Sequence, residues 1–152
     1  VSRIDEKNTE VYVANAKVLM AKLDALDANF RQGLSSCQQK NIVTSHAAFG
    51  YLSKDYGFTQ VPIAGLSPDA EPTAGDLAEV TKFARSHQIK YIFFESLVSP
   101  KLAQTLAREV GAQTLVLNPL EGLPSDEEKQ GKNYFTIMEQ NLKNLQIALQ
   151  CQ

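Results

Sequence analysis

The sequence predicts an α/β fold: three layers, αβα, around a four-stranded parallel sheet, preceded by one long helix. Three observations carry this. A single apolar stripe at helical spacing runs through the opening stretch. Four short β-branched or aromatic runs follow, without clean alternation, as in strands covered on both faces. Helical segments separate the runs, and that alternation forces right-handed crossovers and a parallel sheet with helices on both sides.

In the opening helix Val11, Ala14, Val18, Leu19, Leu23, Leu26 and Phe30 recur at spacings of three, four or one, with Glu10, Lys17, Lys22 and Asp24 in the gaps. Gly33 is the expected stop, since glycine takes the left-handed conformation that ends helices. The strands are placed at Asn41–Ser45, Val61–Ala64, Tyr91–Phe94 and Thr114–Leu117. Pro62 marks the second as an edge strand or a strand end. Between them lie helices over His46–Tyr56, closed by Gly57, and over Asp76–His87, with Thr73 and Asp76 spaced like a capping box. Lys101–Val110 follows Ser99-Pro100, a cap residue and then proline at the first helical position, and Gly111 closes it. The last helix starts near Ser125, with Glu128 as a second capping-box partner. Phe135, Met138, Leu142, Leu145 and Leu149 form its stripe.

Composition narrows the function. The 152 residues are 43% hydrophobic and 21% charged, with 15 Lys+Arg against 17 Asp+Glu. A chain of this size buries roughly 68–70% of its unfolded surface, as one ordinary domain. Disorder, collagen and coiled coil are set aside. No run reaches the ~18 apolar residues of a membrane span, and the near-neutral charge argues against nucleic acid as the main partner. Two Cys and two His are too few for a self-contained four-ligand zinc site. No internal repeat, GxGxxG, phosphate loop or G-x-S-x-G occurs. The chain has no initiator Met and no leader and enters a helix almost at once, so a processed chain or part of a longer one is expected.

In open α/β sheets ligands bind beyond the carboxyl ends of the strands. Those ends carry Ser45-His46, Gly65-Leu66-Ser67, Glu95-Ser96 and Asn118-Pro119-Leu120-Glu121. One imidazole and two carboxylates on one rim suit a divalent metal such as zinc. His46 has two readings: a residue near a helix N-cap bonded to backbone, or a ligand or catalyst. Glu121 is a solvated loop carboxylate or a ligand; Glu95 is a buried rim group or the partner of a metal-bound imidazole. His87, near a helix C-terminus, suits the negative end of the helix dipole and is set aside. Cys37 as a nucleophile with His46 fails, because the intervening strand holds the two ~25 Å apart at ~3.3 Å per residue. Cys37 and Cys151, after the first helix and at the end of the last, are either a bridge tying the C-terminus to the sheet in an oxidising compartment or two unpaired thiols.

The segment TSHAAFGYLSKDYGF resembles the strand–histidine–helix unit of the metal-binding proteins of ABC transporters, in their zinc-uptake branch. SPDAEPTAGDL, IFFESLVSPKLAQTLAREVGAQTLVLNPLEGL and the closing helix follow in the family's order and spacing. The resemblance implies two α/β lobes joined by a long rigid helix, with metal in the cleft between them. Residues 1–35 would be the inter-lobe helix and 36–152 the C-terminal lobe, with the N-terminal lobe outside this chain. His46 would be a metal ligand where manganese-type relatives tend to have Glu, which favours Zn2+ over Mn2+. Glu121, in an NPLE-type segment, would be the acidic ligand, with Asn118 at a spot that some relatives fill with Asp. Glu95 and Asn118 are the candidates for supporting those ligands.

The same resemblance implies a monomeric, non-enzymatic solute-binding component that hands its ion to an ABC permease subunit in the membrane. It also implies a periplasmic or extracytoplasmic place on a bacterium, lipid-anchored if a lipoprotein. Two rival readings remain: a metal-independent adhesin or interaction domain on the same fold, or a small α/β enzyme pairing His46 with Glu95 or Glu121.

Overall fold

The computed structural model describes residues 1–67, 71–97 and 99–152. Positions 68–70, inside the SPDAEPTAGDL motif, and 98 lie outside the described residues. A 3-10 turn at Glu6–Asn8 leads into α1 (Thr9–Gly33), followed by β1 (Asn41–Thr44), α2 (Gly50–Tyr56), β2 (Thr59–Pro62) and α3 (Ala74–Ser86). Then come β3 (Tyr91–Phe94), α4 (Lys101–Val110), β4 (Gln113–Val116), α5 (Ser125–Lys129) and α6 (Tyr134–Leu149). Among the described residues no helix is long and apolar enough to cross a membrane.

The four strands form one parallel sheet in the order β2-β1-β3-β4. Successive strand residues face opposite ways, so each strand feeds two cores. Ile42 and Phe93 point to one side, where Leu26, Phe30, Phe49, Leu145 and Leu149 fill the space beneath α1, α2 and α6. Val43 and Ile92 point to the other, against Val80 and Ala84 of α3 and Ala103, Leu106 and Ala107 of α4. Each fully buried side chain such as Phe93 contributes roughly 1.5–3 kcal/mol. The predicted three layers are therefore present.

Several boundaries differ from the sequence reading, each for a local reason. β2 begins two residues earlier, at Thr59, because its register is set by β1, Asn41 against Thr59 through Thr44 against Pro62. Pro62 does end an edge strand. α2 starts at Gly50 rather than His46, because Ala47 N bonds to Gly65 O and Phe49 N to Gln60 Oε1 instead of to a helical turn. The capping box of Thr73 and Asp76 is present. Ser99 caps nothing, since Pro100 is the residue before α4 and no side chain bonds there. The last helix is two. Gly131, at φ +76°, follows α5, and Asn133 with Thr136 caps α6 in place of the Ser125–Glu128 box.

Gly57 and Gly111 end α2 and α4 in the left-handed conformation, but Gly33 does not end α1 that way. Its missing side chain serves close packing. A Cβ there would lie 2.8 Å from Gln146 Nε2 and 3.2 Å from Leu142 Cδ1 of α6. Only Leu26 and Phe30 of the α1 stripe are buried; Val11, Val18, Leu19 and Leu23 are exposed. Cys37 and Cys151 form a disulfide across 114 residues. Backbone bonds from Gln38 N to Gln150 O, Gln39 N to Leu149 O and Gln152 N to Ser36 O run beside it.

Candidate metal centre

All four strands point the same way, so the residues just beyond them share one rim. In the order β2-β1-β3-β4 the chain winds one way from β1 to β2 and the other way from β3 to β4, so the direction switches between β1 and β3. The crevice of an open α/β sheet opens at such a switch point. His46 follows β1 and Glu95 follows β3, on its two sides.

The structure brings these two together. Glu95 Oε1 bonds to His46 Nδ1 and also accepts from Ser45 Oγ at 2.8 Å. His46 and Glu95 are 2% and 3% exposed, so neither is a solvated rim group. A carboxylate in this place accepts from Nδ1–H, and a neutral ring held in that way carries its lone pair on Nε2, open to a ligand. Fixing the tautomer and ring plane from Nδ1 is what metal-binding histidines require of their partners.

The backbone under the ring is braced as well. His46 O accepts from Thr44 Oγ1 and from Gln60 Nε2, both at 2.8 Å, and Gln60 Nε2 also reaches Thr44 Oγ1 at 2.7 Å. Gln60 therefore binds the bend on its side-chain amide. Sequence reading missed it, because a glutamine in the half-polar run Thr59-Gln60-Val61-Pro62 carries no local signal.

Asn118 is buried and fully bonded. Its N and O pair with the Asn141 amide, Nδ2 donates to Ser96 Oγ at 2.8 Å, and Oδ1 accepts from Leu120 N at 2.8 Å. Asn141 and Asn144 were also missed. They stand three residues apart on α6, among the residues of its apolar stripe, and both are buried. Glu121 lies exposed in the loop beyond β4 and, among the described residues, has no hydrogen-bond or ion-pair partner. His87 caps the end of α3, stacked on Phe83, away from the site. Among the described residues no three His, Cys, Asp or Glu side chains converge to hold an ion. What this rim offers is a buried imidazole oriented by Glu95 and, in the loop beyond β4, the exposed carboxylate of Glu121, residue types that zinc takes as ligands.

Comparison with known proteins points the same way. Residues 1–148 match the family described as "ZnuA: Zinc-uptake complex component A periplasmic". The chain is 49% identical over 145 residues to the high-affinity zinc uptake system protein ZnuA of Bacillus subtilis, covering 95% of this chain and 46% of that protein. It thus spans about half the length of that relative. The Zn(II)-bound ZnuA-like domain of Streptococcus pneumoniae AdcA superposes with a TM-score of 0.81 at 47% identity, over 97% of this chain and 55% of that one. Laminin-binding Lmb of Streptococcus agalactiae, described as bifunctional with adhesin and metal transporting activity, superposes at 0.87 and 33% identity, over 97% and 56%.

Proposed function

The chain belongs to the ZnuA family, and from that premise we propose that it is the C-terminal lobe and linking helix of an ABC zinc-uptake solute-binding protein. Such a protein holds Zn2+ in the cleft between two lobes, outside the cytoplasm, and delivers it to a membrane permease. It captures and releases an ion and performs no catalysis. Residues 1–35 would form the inter-lobe helix and 36–152 the lobe. The exposed stripe of Val11, Val18, Leu19 and Leu23 suits a helix whose outer half packs on the second lobe.

The observation that carries the reading is the buried Glu95–His46 pair at the switch point of the sheet. His46 Nε2 and the Glu121 carboxylate would supply two ligands from this side of the cleft, and the other lobe the remainder of zinc's usual four. Glu95 holds His46 without touching the metal. Affinity falls on acidification, because imidazole coordinates only when neutral. A long helix joining the lobes restrains a clamshell motion, so the cleft closes by local loop rearrangement.

Calorimetry tests this on the chain alone and on the two-lobe protein. The chain binds Zn2+ weakly and the two-lobe protein tightly; tight binding by the chain that survives His46→Ala overturns the assignment. The similarity to Lmb favours a second reading in which the lobe surface also binds a protein partner. Retained partner binding in a His46→Ala, Glu121→Ala double variant that has lost zinc would support it.

A further inference from the structure

β4 is an edge strand, and the loop that follows it is held by amide side chains of α6 rather than by another strand. Asn144 Nδ2 donates to Val116 O at 2.7 Å. One turn earlier Asn141 pairs twice with the backbone of Asn118: its Oδ1 accepts from Asn118 N at 2.9 Å and its Nδ2 donates to Asn118 O at 2.8 Å. Asn141 is 2% exposed, so the pairing is shielded from water, and removing it strands two buried backbone groups.

The contact continues toward the rim. Asn118 Oδ1 accepts from Leu120 N, and Leu120 stands at φ +64°, a left-handed conformation that a leucine adopts only when its surroundings impose it. Glu121 is the next residue. On its other side Asn118 Nδ2 donates to Ser96 Oγ, and Ser96 follows Glu95, which holds His46. One buried asparagine thus joins the loop that carries Glu121 to the loop that orients His46.

We propose that Asn141 is a positioning residue for the metal: through Asn118 and Leu120 it sets where the Glu121 carboxylate stands relative to His46 Nε2. The proposal rests on the reading of His46 and Glu121 as ligands. Strain at Leu120 is retained because it aims the next side chain, as expected where a short loop delivers a ligand.

The test is Zn2+ affinity by chelator competition, with Co2+ absorption as a probe of coordination geometry, in the two-lobe protein. Asn141→Ala and Leu120→Gly should each weaken Zn2+ by about 10–100-fold and alter the Co2+ spectrum. In a Glu121→Ala background neither should weaken it further, since their effect passes through Glu121. Leu120→Gly separates aiming from folding. Glycine is at ease at positive φ, so its unfolding midpoint stays level or rises while affinity drops. If Asn141→Ala does not fold, this variant decides alone.

Unchanged affinity in Leu120→Gly, or equal losses with and without Glu121, overturns the proposal while leaving the ligands in place. If Glu121→Ala itself leaves affinity unchanged, the ligand reading falls and the proposal falls with it.

Discussion

Glu95, at the end of β3, grips His46, at the end of β1, by the Nδ1 side of its ring, across 49 residues of sequence. Both are buried, so the contact does not compete with water. Removing the carboxylate frees the ring to turn and to change tautomer. Glu95→Ala should therefore weaken Zn2+ by about 10–100-fold, whereas Glu95→Gln, whose carbonyl still accepts from Nδ1, should cost less. Chelator competition on the two variants measures this, and equal affinities in Ala and Gln would mean the contact does not orient the ligand.

The disulfide closes a loop of 114 residues. In the chain-entropy model that is worth about 4–5 kcal/mol, most of it through the unfolded state. A Cys37→Ser, Cys151→Ser variant should lose up to that amount in denaturant titration. The flanking backbone bonds, Gln39 N to Leu149 O among them, should keep its fold and far-ultraviolet spectrum native. Thiol titration of the unreduced, unfolded wild type should find no reactive thiol.

α1 is tied to α2 by Tyr56, whose hydroxyl donates to Asp27 Oδ1 at 2.9 Å while Arg31 Nε donates to Asp27 Oδ2 at 2.8 Å. Burial first, and then the bond to Asp27, push the Tyr56 hydroxyl up to about 12. In the unfolded chain it ionises near 10. The folded state therefore keeps the proton longer, so this contribution to stability is complete below pH 10 and is lost between pH 10 and about 12. Tyr56→Phe should flatten the stability profile over that window. An unchanged slope would place the alkaline loss elsewhere.

The outer half of α1 gives a test of lobe arrangement. Leu19→Asp with Leu23→Asp alters two side chains that are exposed in this chain, so its stability should fall by no more than about 1–1.5 kcal/mol, from helix propensity and the like-charge pair. In the two-lobe protein the same changes would bury unpaired charge and should lower the unfolding midpoint by several degrees. An equal, small effect in both would mean that the other lobe does not cover this face.

Much of the fold was legible because it rests on local pattern. The stripe ending in Phe30, the runs at Ile42 and Phe93, and the capping box of Thr73 with Asp76 each report their own element. What stayed hidden depends on distant partners. The late start of α2 is decided by Gln60 accepting from Phe49 N, and Gly33 is shaped by α6 more than a hundred residues away. The rim was predictable from parallel strands, but the meeting of His46 with Glu95 depends on the order β2-β1-β3-β4, which periodicity does not encode. The roles of Asn141 and Asn144 were concealed because asparagine on an apolar face has no local signature.

The central claim is that His46 binds the ion. The most direct measurement is the Zn2+ affinity of His46→Ala in the two-lobe protein, read by chelator competition beside the unaltered protein at neutral pH. Loss of one coordinating nitrogen should weaken binding by at least about 100-fold, beyond the 10–100-fold expected of an outer partner, with the fold intact by circular dichroism. Tight binding that survives the substitution would contradict the account.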